Sequence, residues 1–267
     1  LEKRWDKKHA HEQAKRWFEI KIKSDDPFGL VVVGDPHLGT HTNWALLKRD
    51  VDIMANTPGV GCLNIGDTVN NWGGRLTALY AEEDIGRKTE RQLARWFLKE
   101  ANVPWCCWLE GNHDVMNSEF ATYLRAINTK KIPMLDWQAK FQLVFPSSTI
   151  RVDASHNHKG TSVYNPLHGQ KRADLWGEDA DIFVAGHHHT WALQQHENTG
   201  GKVVTYARAR GYKFHDEFAH RHQFNEEQFG SSIIFIIDPT APPNCRVKPF
   251  ADLSEGAEFL TWKRSKR

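Results

Sequence analysis

Five short polar stretches hold the residues whose types and spacing suit chemistry: Asp35 with His37, Asp67, Asn112 with His113 and Asp114, His156 with His158, and the histidines 187 to 189. Carboxylate, imidazole and amide oxygen make a harder ligand set than thiolate. Such a set suits Mn²⁺, Fe or Zn²⁺ in a reactive centre rather than a structural zinc site. Seven or so ligands exceed what one metal ordinarily takes, yet suffice for two metals sharing a carboxylate. Two-metal centres with ions ~3.5–4 Å apart serve phosphoryl hydrolysis. Glycine at positions 66, 111 and 186 precedes three of the stretches, where tight turns let backbone approach a site. Singly, each stretch also reads as a turn, because Asp and Asn favour turns and caps. The five in series, each behind an apolar run, do not.

Those runs are the elements that must position the ligands. Leu30-Val-Val-Val33 is continuous and β-branched, as in a strand covered on both faces. Further strands are expected over residues 61–65, 103–109, 141–145, 149–155 and 181–185, with helices over 44–55, 76–101 (one long helix or two), 118–128 and 167–176. Alternation of strand and helix predicts parallel or mixed sheets covered by helices, with ligands beyond the carboxyl ends of the strands. After residue 200 the pattern turns strand-rich (202–207, 231–237, 246–250), which predicts antiparallel strands completing a second sheet. Residues up to about 17 read as a basic helix, followed by an alternating strand over 18–22.

The 267 residues carry 35 Lys+Arg against 33 Asp+Glu, a formal charge of +2, and 40% are hydrophobic. This is the composition of a globular α/β protein, and it excludes collagen-like, coiled-coil and largely disordered classes. No apolar run approaches the ~18–20 residues of a membrane span. The first residues, Leu-Glu-Lys-Arg-Trp, lack the apolar core of a signal peptide. Four cysteines are too few and too scattered for a disulfide framework, and Cys106 and Cys107 read as buried free thiols, so a cytoplasmic location is expected.

Taken in order, Asp35-Pro-His37, Gly66-Asp67, Gly111-Asn-His-Asp114, a histidine after the strand over 150–155, and Gly186-His-His-His189 resemble the calcineurin-like metallophosphoesterase superfamily. The resemblance spans about residues 28–240. It implies a two-sheet αββα sandwich with a binuclear metal site at the carboxyl ends of the strands. It further implies that Asp35, His37 and His189 hold one divalent ion, that Asn112, His187 and the lone histidine hold the other, and that Asp67 bridges them. Mn²⁺ is the expected metal, with Fe or Zn²⁺ as alternatives. The implied reaction is attack on phosphorus by a hydroxide between the metals, with His113 protonating the leaving group and Asp114 orienting it. His188 matches a variable position.

The lone histidine has three candidates. His156 ends the strand and is preferred, because ligands gather at strand ends; His158 lies two residues on, and His168 falls in an expected helix. Departures from the motifs bear on substrate. Gly66-Asp-Thr-Val-Asn-Asn-Trp-Gly73 differs from the Gly-Asp-x-Val-Asp-Arg-Gly of protein Ser/Thr phosphatases. Asn70 stands where purple acid phosphatases place a metal-binding Tyr. Asn70, Arg208 and Arg210 are substrate-binding candidates, and Arg208, Arg210, Lys213, His215 and Arg221 together could clamp phosphates. The 11 tryptophans read mostly as core, with base stacking as the other use. His11-Glu12 lacks the second histidine of a zinc protease, and no P-loop, dinucleotide-binding or Gly-x-Ser-x-Gly motif is present.

The function expected is metal-dependent phosphoester hydrolysis, with phosphodiesters (nucleotide or nucleic acid) favoured. The alternatives are a phosphomonoesterase acting on a small molecule or protein and, from another class, a non-catalytic metal-containing binding module. The expected organisation is a basic helical or extended segment over 1–27, the metallophosphoesterase domain over 28–250, and a basic solvated tail over 251–267.

Overall fold

The structure is a computed structural model that describes residues 17–177, 179–214, 230 and 232–267. Its twelve strands form two six-stranded sheets. β1 (Trp17–Lys21) lies at an edge of the second sheet. The helix expected before it falls outside the described residues.

The first sheet is built on three nearly fully buried parallel strands, β2 (Phe28–Val33), β3 (Val60–Asn64) and β4 (Trp105–Glu110), extended by the short parallel β5 (Met134–Asp136). The second sheet holds β1, β6 (Gln138–Val144), β7 (Thr149–Ser155), β8 (Ile182–Ala185), β9 (Ala192–Glu197) and β10 (Val203–Arg208). In it β7, β8 and β10 run parallel to one another, while β6 pairs antiparallel with β7 and β9 antiparallel with β10. β11 (Ile233–Ile237) and β12 (Val247–Phe250) then complete the first sheet beside β2, each antiparallel to its neighbour. The strands of the last third therefore divide between both sheets instead of building only the second.

The faces of the strands sort the core into layers. Leu30, Val32, Leu63 and Leu109 of the first sheet meet Phe141, Val152 and Val184 of the second, as period-2 alternation requires. The opposite face of the first sheet, through Val31, Val33 and Cys62, is covered by α1 (Trp44–Asn56), α2 (Arg87–Arg95) and α4 (Ser118–Ile127). The short α3 (Asn112–Met116) precedes α4, and α5 (His168–Trp176) covers the second sheet near Phe183 and Tyr206. The result is the expected helix–sheet–sheet–helix sandwich.

Residues 76–101, expected as one long helix or two, form two pieces, a 3₁₀ segment, Gly74–Glu82, and α2, which runs on as a π-turn to Glu100. Two stretches differ from expectation. β9 carries the polar sequence Ala-Leu-Gln-Gln-His-Glu; as an edge strand it buries little, so periodicity cannot mark it. The segment 251–267 is no solvated tail but holds α6 (Leu253–Arg264), capped by the Asp252 carboxylate on the backbone N–H groups of Ser254 and Glu255. Its Leu253, Ala257 and Leu260, one helical face, are buried against the first sheet. Leu260→Ala is expected to lower unfolding free energy by about 2–5 kcal/mol in urea titration. At the other end, β1 pairs parallel with β6, so part of the segment 1–27 belongs to the second sheet. Cys62 and Cys107 are buried free thiols, whereas Cys106 is half-buried.

Candidate active site

The parallel strands β2, β3 and β4 end at one edge, and the chain turns there into Asp35 and His37, Asp67, and Asn112 with His113. From the second sheet, β7 and β8 end at the same edge and supply His156 and His187 to His189. The turns are severe. Of the eight non-glycine residues with positive φ among those described, four are His37 (42°), Asp67 (51°), His187 (66°) and His189 (54°). Such backbone costs on the order of 1–3 kcal/mol each and persists where surrounding structure imposes it. Glycine is required beside it, because a Cβ on Gly111 would sit 2.2 Å from Asp67 Oδ1.

Asp67 stands between two groups of ligand atoms. Its Oδ2 lies 3.3 Å from His156 Nε2 and 3.7 Å from His37 Nε2, and its Oδ1 accepts the His113 backbone N–H at 2.8 Å. His156 Nε2 is also 2.9 Å from Asn112 Oδ1 and 3.1 Å from His187 Nδ1. The sets His37, Asp67, His113 and Asp67, His156, His187 each present ligand atoms within 4.8 Å of one another, close enough to hold a metal ion. Asp35 completes the cluster. Its Oδ2 accepts the His187 backbone N–H at 2.5 Å and lies 3.8 Å from His189 Nε2, while its Oδ1 is buried with no hydrogen-bond partner.

Backbone and amide groups set the tautomers. His37 donates from Nδ1 to Asn70 Oδ1 (3.0 Å), and His156 from Nδ1 to the Ile65 carbonyl (3.0 Å), so in each it is Nε2 that faces the cluster. His113 donates from Nδ1 to the Asn70 carbonyl at 2.6 Å, with its ring edge-on to His37 and Trp72.

The electrostatics are those of a site short of positive charge. Burial, followed by the charge of Asp67, pushes Asp35 up to about 8 against the pull of His156. Burial also opposes ionisation of Asp67, but His156, His113 and His37 outweigh it and hold that carboxyl far below its usual range. Burial drives His189 down to about 3.

Of the three histidines between 156 and 168, His156 lies in the cluster. The ring of His158 turns instead to Asp153 Oδ1 (3.1 Å), and His168 begins α5. Asp114 does not orient His113 as expected. It accepts from the Thr68 and Gly111 backbone N–H groups at 3.0 and 2.9 Å, because a carboxylate in the first turn of α3 reaches back to cap it. Asn70, expected to meet substrate, uses its side chain on His37, Lys213 and Glu83 and its carbonyl on His113. Arg208 donates to Thr190 Oγ1, Arg210 lies over the Trp191 ring, and His215 and Arg221 fall outside the described residues. Two neighbours escaped sequence reasoning: Trp72, whose ring faces His113 and Lys213, and Trp137, whose ring centroid is 5.0 Å from that of His156. Only their unusual number hinted at them.

Because the Asn70 side chain holds His37 by its Nδ1, Asn70→Ala is expected to weaken metal retention or turnover ~10–100-fold with little change in melting temperature. Elemental analysis beside a rate assay checks it.

Over residues 28–234 the chain matches the family described as calcineurin-like phosphoesterase, and it belongs to that family. The family hydrolyses phosphoesters and binds divalent metals. Among solved structures, the fold is similar to that of Vps29 from Entamoeba histolytica complexed with Zn²⁺ (13% identity, 84% of this chain and 97% of that one, TM-score 0.42). It is also similar to the calcineurin-like phosphoesterase YfkN from Bacillus subtilis (9%, 90% and 97%, 0.45). For the NAD nucleotidase of Haemophilus influenzae the figures are 11%, 84% and 49%, with a TM-score of 0.46, so the chain spans about half of that protein. No curated protein matches the sequence. Among the described residues no helix is long and apolar enough to cross a membrane.

Proposed function

We propose that this chain is a metal-dependent hydrolase with a two-metal centre, acting on phosphoesters with phosphodiesters favoured. The observation that carries the reading is Asp67, buried with its carboxylate shared between His37 on one side and His156 on the other. Asp35 Oδ1, buried without a hydrogen bond and 3.5 Å from His156 Nδ1, fits the same reading, because a buried carboxylate oxygen that makes no hydrogen bond is costly unless a cation meets it. Asp35, His37 and His189 would hold one ion, Asn112, His156 and His187 the other, with Asp67 between them. Nitrogen-rich donors of this kind suit Mn²⁺ better than Mg²⁺. Bound there, divalent ions lower the pKa of water and polarise the phosphoryl group.

The chain's own residues do the rest. The Asn70 carbonyl fixes the His113 ring by its Nδ1, leaving Nε2 to hold a proton for the departing oxygen. Lys213, whose Nζ is 3.1 Å from Asn70 Oδ1 and 4.9 Å from the Trp72 ring centroid, supplies positive charge on the same flank, where a phosphate would carry its negative charge.

The test is hydrolysis of bis-nitrophenyl phosphate beside nitrophenyl phosphate. Exhaustive chelation should abolish activity, and Mn²⁺ should restore it better than Mg²⁺. Full activity after verified removal of metal overturns the reading, and faster cleavage of the monoester overturns the diester preference.

A further inference from the structure

Beside the ligand cluster lies a cavity of about 520 Å³ between β6 and β7 of the second sheet and α5, lined in part by Trp137, Asn157, His158, Lys159, Arg172 and Trp176. That size lies within the range of small-molecule sites. It shares a wall with the cluster, because the Trp137 ring that packs on His156 and lies 6.2 Å from His187 also lines the cavity. Trp137 is the corner where the chain leaves β5 in one sheet for β6 in the other, and its φ of 64° is a conformation that bulky residues rarely adopt. Its backbone is clamped by Glu110 and His156, and its indole N–H donates to the Asn157 carbonyl. The ring is thus a fixed wall rather than a loose surface side chain.

Resting on the hydrolase reading, we propose that this cavity is a nucleobase subsite, which makes the substrate a nucleotide or nucleic-acid phosphoester. Two features carry it. Trp176 lines the cavity while 76% exposed, and Trp137 is 37% exposed; open indole faces are stacking platforms for bases. His158, only 5% exposed, bonds the Asp153 carboxylate through Nε2 and has no hydrogen-bond partner at Nδ1. A carboxylate only accepts, so the hydrogen of that bond sits on Nε2, and Nδ1 is left as a buried polar atom without a hydrogen bond. The polar edge of a base, which carries both donors and acceptors, can meet that need, whereas a simple alkyl or sugar phosphate brings no flat face to the indoles. The exposed Lys159 and Arg172 on the same lining give the rim positive charge suited to the phosphates of such a ligand.

Adenosine has no phosphoester, so its binding to the Mn²⁺-loaded full-length protein can be read by calorimetry without turnover, with ribose as the control. Adenosine should bind and ribose should not. Trp176→Ala should weaken adenosine about tenfold, Trp176→Phe should retain most of the affinity, and His158→Ala should weaken it as well. Trp176 is exposed, so its variants keep the test decisive should His158→Ala fail to fold. Adenosine bound no better than ribose, or equally well by Trp176→Ala, overturns the subsite. Bis-nitrophenyl phosphate on the same preparation separates the two ideas: adenosine binding without ester hydrolysis refutes the hydrolase reading alone, and the reverse refutes the subsite alone.

Discussion

Asp67→Asn is expected to bind fewer metal ions per chain and to lose more activity than the ~10–100-fold typical of residues that merely support ligands. The substitution keeps the size of the side chain and removes the one charge that faces both His37 and His156. In the parent the carboxylate stays ionised despite burial because His156, His113 and His37 surround it. An amide offers one weak acceptor and an N–H₂ group that would face Nε2 atoms or a cation. The backbone should hold, since the bond from the His113 N–H to Oδ1 can be made to an amide oxygen. Elemental analysis and a melting curve on one preparation provide the check. Unchanged metal content with unchanged rates would remove Asp67 from the centre.

His113→Ala should separate two kinds of leaving group. An alkoxide such as a sugar hydroxyl needs a proton as it departs, whereas nitrophenolate is stable as an anion near neutral pH. Loss of a positioned acid should therefore cost ~10²–10⁴-fold on an ester with an alkyl leaving group and far less on a nitrophenyl ester. The assignment rests on the Asn70 carbonyl, which fixes Nδ1 and leaves Nε2 to act. His113 also lies within ligand distance of His37 and Asp67, so metal content is the second readout. Equal losses on both esters, or a lost metal, would make His113 a ligand and remove it as the acid.

The family and the sheet edge at which the candidate residues gather were legible because both follow from local properties. Apolar runs followed by Gly and a short polar stretch mark where buried strands end, and parallel strands end together. That logic brought Asp35, His37, Asp67, Asn112 and His187 to one place, and the strand-end rule preferred His156 to His158. It failed where a residue's partner is distant in sequence. Asp114 follows His113 directly, yet beside the local cap on Gly111 its carboxylate serves Thr68, 46 positions away. Asn70 looked open to substrate, yet it meets His37, Glu83 and Lys213 from three separate parts of the chain. β9 and α6 escaped for a related reason: an edge strand needs little apolar signal, and α6 has one buried face beneath a basic C-terminal turn.

The sequence by itself determined the types of the candidate site residues, their order and the strands that carry them, because burial on both faces demands continuous apolar residues and tight turns favour glycine. Only the tertiary structure decided which oxygen of Asp67 lies between His37 and His156, which nitrogen of each histidine is tied to backbone or amide, and that Trp137 closes one wall. Those depend on how two sheets pack and on a positive φ at the corner between them. Distances of about 3 Å between residues some ninety positions apart, as between His156 and the Ile65 carbonyl, are set by packing and have no local signature in the chain.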